Sequence, residues 1–168
     1  DFYFQNKSRI RSKYKLLSKK FLDFNDYQNP TSFLRQPQFE ALEVYIFLKE
    51  YQDNKKIHDI FTDWYERKNG FEKREDMGLD KNEQISWFAL EVDQYKEVFA
   101  RMKKYELTYA NYIFALTMGT GKTILMATCI FYEFLLANKF PKDKRFCHNA
   151  IVFAPDKTVL ESLREIQT

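Results

Sequence analysis

The chain has 168 residues, 45% of them apolar, 18% aromatic and 30% charged, with a formal net charge of +3. That length holds one domain with a real core, or one domain with a long extension, and the composition excludes a disordered, fibrous or collagen-like chain. Cys129 and Cys147 are the only cysteines and match no zinc spacing, as expected of a reduced, cytoplasmic protein, while the apolar run over 124–137 is too short to cross a bilayer.

Residues 7–20 carry Lys7, Arg9, Arg11, Lys13, Lys15, Lys19 and Lys20 and no acid. Two readings are compatible. Such a segment can neutralise phosphates along a nucleic-acid backbone, and it can equally be a solvated helix face over a buried stripe of Ile10, Tyr14, Leu17 and Phe21. Asn29-Pro30-Thr31-Ser32 ends this helix and offers a cap for the next. Apolar spacing predicts helices over about 37–50, with Phe39, Leu42 and Ile46 inward, and 55–68, with Ile57, Ile60, Phe61 and Trp64 inward. Residues 69–84 are polar and read as a loop; a further helix is expected over about 86–105.

From Tyr109 the pattern changes to alternating strand and helix. A strand is expected over 112–116, a helix over 122–138, a connector with Pro141, a second strand over 150–154, and a helix from about 156 on. This is the order of a βαβα unit, and the two apolar runs suit a parallel sheet covered on both faces. The chain starts without Met and stops within an expected helix, so it is expected to be a piece of a longer protein.

Between the first of these strands and its helix stands Leu116-Thr117-Met118-Gly119-Thr120-Gly121-Lys122-Thr123. Strand, glycine turn, Gly-Lys-Thr and helix form the order of a phosphate-binding loop. The chemistry requires it: main-chain N–H groups must close around the phosphate oxygens, and Gly119 and Gly121 carry no Cβ to obstruct them. The helix start adds its dipole and free N–H groups. Lys122 supplies a charge for the outer phosphates, and Thr123 a hydroxyl where Mg²⁺ bridges to a nucleotide. Thr117, Met118, Gly119, Thr120, Gly121, Lys122 and Thr123 are therefore the candidate ATP·Mg²⁺ site, with Lys122 and Thr123 as its catalytic members. Leu116 stands where the general loop pattern has a further Gly.

Upstream, Arg35-Gln36-Pro37-Gln38 opens a predicted helix; downstream, Ala154-Pro155-Asp156-Lys157-Thr158 follows a predicted strand. With the phosphate loop between them, this order resembles superfamily 2 helicases and translocases, and more narrowly the ATP-dependent subunit of type III restriction enzymes and its DEAD/DEAH-like relatives, over about 32–168. The resemblance implies a RecA-like doubly wound parallel sheet of the P-loop NTPase type, here only begun and preceded by a helical extension. It divides the chain into a basic helical segment (1–31), a helix with a helical insertion (32–108) and the first part of a motor domain (109–168). It implies that Arg35 and Gln38 belong to the ATP site, Gln38 reading the adenine edge with its amide and Phe39 or a neighbouring aromatic stacking on the ring. It implies that Lys157 and Thr158 hold phosphates of a tracked DNA strand at a helix start. The expected partners are double-stranded DNA and a methyltransferase or other defence-system subunit, with no membrane. The family's Asp-Glu box would lie beyond Thr168, so this segment alone is not expected to turn over ATP. Two other readings stand beside it: a different phosphate-loop NTPase without helicase activity, and a nucleotide-dependent interaction module.

Overall fold

A computed structural model describes residues 2–66, 68–71, 97–117 and 119–153. In chain order come α1 (Phe2–Gln5), α2 (Lys7–Ser12), α3 (Leu16–Asn25), α4 (Gln36–Ile46) with a π-helical continuation over Phe47–Tyr51, α5 (Ile57–Tyr65), α6 (97–104) and α7 (Lys122–Lys139). The chain divides into two compact units, one made of residues up to Asn54 and from Phe114 on, the other of Lys55–Ile113.

The expected parallel sheet is not formed: the described residues contain no β-strand. The segments read as its first two strands have no ladder, and within them Ile113, Ile151 and Phe153 stand 93%, 80% and 89% exposed. A parallel strand needs hydrogen-bonded neighbours and helices over both faces. An unbroken apolar run reports only that a segment is apolar, and the same residues fit an extended stretch without ladder partners among the described residues.

In the first unit α3, α4 and α7 pack on one another. Leu22 of α3, Phe39, Leu42 and Ile46 of α4, and Tyr132, Leu136 and Ala137 of α7 are buried, and Ile10 of α2 joins them. Each large apolar side chain so removed from water contributes about 1.5–3 kcal/mol. The basic stretch forms two helices rather than one. Lys15 is extended, with ψ 146, and its N–H donates to Glu50 Oε2 at 2.8 Å, which sets a carboxylate at the positive end of α3. Ile10, Tyr14 and Phe21 are buried and Leu17 is half-buried, so the apolar stripe survives the break.

The π turn after α4 rotates Lys49 and Glu50 toward α7. Lys49 pairs with Glu133 at 3.2 Å, both of them buried. Glu50 Oε1 accepts from Tyr132 Oη at 2.8 Å and from Ser18 Oγ. Glu133 also accepts from Tyr45 Oη at 2.7 Å and from the Cys147 N–H at 2.9 Å. Lys49, Glu50, Glu133, Tyr45, Tyr132 and Ser18 thus satisfy one another inside the helix packing, as most buried polar groups are satisfied.

The second unit is held by aromatic contacts. Phe99 of α6 lies 4.8 Å from Phe61 and 5.3 Å from Tyr65 of α5. Lys56 pairs with Glu106 at 2.5 Å, and Tyr112 Oη donates to the Lys55 carbonyl at 2.6 Å. None of α5's residues is fully buried. No helix among the described residues is long and apolar enough to cross a membrane.

Candidate functional site

The loop ahead of α7 takes a left-handed path at both glycines, with φ +74 at Gly119 and +67 at Gly121. In that region a Cβ collides with the following carbonyl, so glycine is the residue that fits. Gly121 is the N-cap of α7, and no side chain caps the helix there. The first N–H groups of an α-helix have no intrahelical acceptor; here they sit at the end of an 18-residue helix, next to a turn without side chains at two of its positions.

Thr117 closes the loop from the other side. Its carbonyl accepts from Thr120 Oγ1 at 2.7 Å and from Lys122 Nζ at 2.8 Å. Lys122 is exposed, and its ammonium is folded back over the turn, with no carboxylate paired to it among the described residues. An anion arriving at the turn would meet this charge close at hand. Thr123 is half-buried in the first turn of α7. Met118 lies outside the described residues, as do Lys157 and Thr158.

Gln38 is the sequence-predicted residue that the fold brings to the loop. It is 2% exposed, and its Nε2 donates to the Gly121 carbonyl at 3.0 Å although the two are 83 residues apart in sequence. Its Oε1 accepts from the Arg35 N–H at 2.7 Å, which caps the start of α4. Both atoms of the amide are thereby engaged within the chain, each through one hydrogen bond, and the side chain is buried, so contact with an adenine edge requires a local rearrangement. The Arg35 side chain is exposed. Phe39 is 1% exposed, with Tyr27 at 5.9 Å and Lys7 and Arg11 at 5.7 and 5.9 Å from its ring, and is not presented to a ligand. Phe33, two residues ahead of the α4 N-cap, is 85% exposed.

Most of the basic segment is engaged within the chain. Lys7 and Arg11 both pair with Glu43, which is 1% exposed, Lys7 at 2.7 Å. Lys15 pairs with Asp143 at 3.1 Å, Lys19 Nζ donates to the Ser12 carbonyl at 2.8 Å, and Lys13 lies 5.1 Å from the Tyr51 ring. Tyr3 donates to Glu43 at 3.2 Å; burial first, and the Glu43 charge second, push its hydroxyl up to about 12. Sequence reading did not find Glu43. Its position on the inward face of α4, opposite a run of cations with no acid of its own, is the signal that points to it.

Away from the loop, α3 and α7 enclose a cleft of about 650 Å³ lined by Leu17, Phe21, Phe24, Met126, Phe131 and Phe134 among others. No protein-family model, no curated protein and no solved structure matches the chain.

Proposed function

We propose that the chain is the ATP-binding N-terminal part of an ATP-dependent DNA helicase or translocase, of the kind found as the motor subunit of type III restriction enzymes, working in the cytoplasm. The observation that carries the reading is the contact between Gln38 and Gly121. The Arg-x-x-Gln helix start and the Gly-Lys-Thr loop are separate features of the sequence, with two expected helices and a polar stretch between them, yet they meet through one hydrogen bond. A chance Gly-Thr-Gly-Lys-Thr has no reason to find that partner.

The chemistry follows from the parts. The left-handed glycines leave the phosphate path open, and the uncapped start of α7 supplies N–H donors and the positive dipole end. On ATP binding, Lys122 exchanges the Thr117 carbonyl for the β- and γ-phosphates, a charged acceptor in place of a neutral one. The Thr123 hydroxyl, in the first turn of α7, is the group that would ligate Mg²⁺, whose chemistry is charge neutralisation on the outer phosphates. Gln38 fixes the position of Gly121, and Phe33 is the exposed aromatic near the α4 start. Double-stranded DNA is the substrate of the motor in this reading.

Binding of ATP with Mg²⁺ by the protein and by Lys122→Ala tests it. The ammonium is exposed and lies on the surface of the loop, so the variant keeps the fold. ATP affinity is expected to fall more than tenfold, about 1.4 kcal/mol. Equal affinity in the two proteins would remove the proposal.

A further inference from the structure

We propose that the double turn after α7 presents a second, non-specific contact for duplex DNA, through Lys139, Lys142 and Lys144. This goes beyond the phosphate loop and rests on the reading of the chain as part of a DNA motor. The sequence directs attention to the N-terminal cations, but five of those, Lys7, Arg11, Lys13, Lys15 and Lys19, are held by Glu43, a ring, Asp143 and a carbonyl. Lys139, Lys142 and Lys144 are exposed, and among the described residues they have no ion-pair or hydrogen-bond partner.

The local geometry explains why their charge is directed outward. The chain leaves α7 with the Phe140 N–H on the Leu136 carbonyl at 2.8 Å, then makes two successive turns, Asp143 N–H to Phe140 carbonyl at 2.9 Å and Phe146 N–H to Asp143 carbonyl at 3.3 Å. Asp143, between two of the lysines, is turned inward. Arg145 grips both its oxygens, at 2.9 and 2.8 Å, and Lys15 adds a contact at 3.1 Å. The hydrogen bonds from Arg145 hold the carboxyl well below the usual carboxylate range. Arg145 Nη1 also donates to Asp53 Oδ1 at 2.9 Å and to the Glu50 carbonyl at 3.2 Å, so the turn is anchored to the end of the π segment. The one acid of the turn is neutralised from inside, and its lysines are exposed, with no acid paired to them among the described residues.

The patch lies at the far end of the 18-residue α7 from Lys122, about 27 Å away at the rise of an α-helix. A contact there is separate from the nucleotide site, and the ligand that suits it is one that presents several phosphates side by side. The aromatic rings of the turn are engaged within the chain, Phe140 under Lys15 at 4.4 Å and Phe146 buried, so three exposed lysines suit the phosphates of a duplex rather than its bases.

The test replaces Lys139, Lys142 and Lys144 together by Gln, and separately by Arg, and measures affinity for a short mixed-sequence DNA duplex as salt is varied, without nucleotide. Each phosphate that the Gln side chains no longer neutralise is expected to lower the slope of log affinity against log salt by about 0.9, and the Arg version is expected to restore it. ATP binding is expected to stay unchanged in both variants. An unchanged slope in the Gln variant overturns the proposal. So does a Gln-sensitive binding to phosphatidylserine-containing vesicles with no binding to duplex. A wild-type protein that fails to bind ATP but whose duplex binding depends on these lysines refutes the nucleotide reading and leaves the patch standing.

Discussion

Gln38 Nε2 donates to the Gly121 carbonyl at 3.0 Å, and the same side chain fills the space a Cβ on Gly121 would need. Gly121→Ala therefore meets two obstacles. The left-handed φ costs an alanine about 1–2 kcal/mol, and the new methyl lies well inside contact distance of the Gln38 amide. Gln38→Ala removes the second obstacle and leaves the first. Gly121→Ala is expected to weaken ATP binding more than tenfold. The double variant is expected to recover part of that loss, by about 0.5–3 kcal/mol of coupling energy. Strict additivity in equilibrium binding would show that the two residues do not act on one another.

Glu43 gives the second prediction. It is buried on α4 and pairs with both Lys7 and Arg11. Removing one partner of a fully buried pair costs about 3–5 kcal/mol, because a charge is left behind without compensation. Lys7 and Arg11 are partly exposed, at 37% and 24%, and can turn to water, so Glu43→Ala is expected to cost less than that, roughly 2–3 kcal/mol. Urea unfolding measures it. A loss under about 0.5 kcal/mol, as for an ordinary surface substitution, would show that α1 and α2 are not held through this carboxylate.

The third prediction is a pH dependence. Asp143 is only slightly exposed and its carboxyl is held below 3.8 by Arg145 first, with Lys15 assisting. A group with a lowered folded-state pKa stabilises the fold fully above its unfolded value and loses that contribution as pH falls toward the folded one. Hydrogen bonds to a charged group are worth about 1.5–3 kcal/mol, and Asp143→Asn is expected to cost that much at neutral pH. The gap between wild type and variant should close as pH drops below about 4. A gap that keeps its size in acid would mean that charge is not its origin.

The helices of the first unit were legible because their signals are local. Ile10, Tyr14 and Phe21 recur at helical spacing and are buried; Lys122 starts α7 after Gly121, and Phe140 and Pro141 follow its end. The break at Lys15 was not legible, since it depends on Glu50, 35 residues on. The sheet was misread for a related reason: Ile113 and Ile151 are apolar whether or not a neighbour lies beside them, and pairing partners leave no mark within a segment. In the candidate site, the residue types of the loop were visible. That Gln38 would grip the Gly121 carbonyl, and that Thr117 would hold Lys122 through its own carbonyl, were not, because a main-chain acceptor carries no side-chain letter.

α4 bears Gln38 in its first turn, Glu43 in its second and Ile46 at its end, and each faces a different neighbour: the loop, the N-terminal helices and the α7 core. Anyone trimming this protein for study would be tempted to start at Ser32, just before that helix, and discard the basic stretch as an appendage. The cut would take away Ile10, Tyr14, Phe21 and Leu22, lay bare the flank of α4 they cover, and strand a buried carboxylate in an apolar surface. The shortened product would be sticky and short-lived, and the helix that positions Gly121 would lose its backing; the N-terminal helices are part of the mounting of the loop.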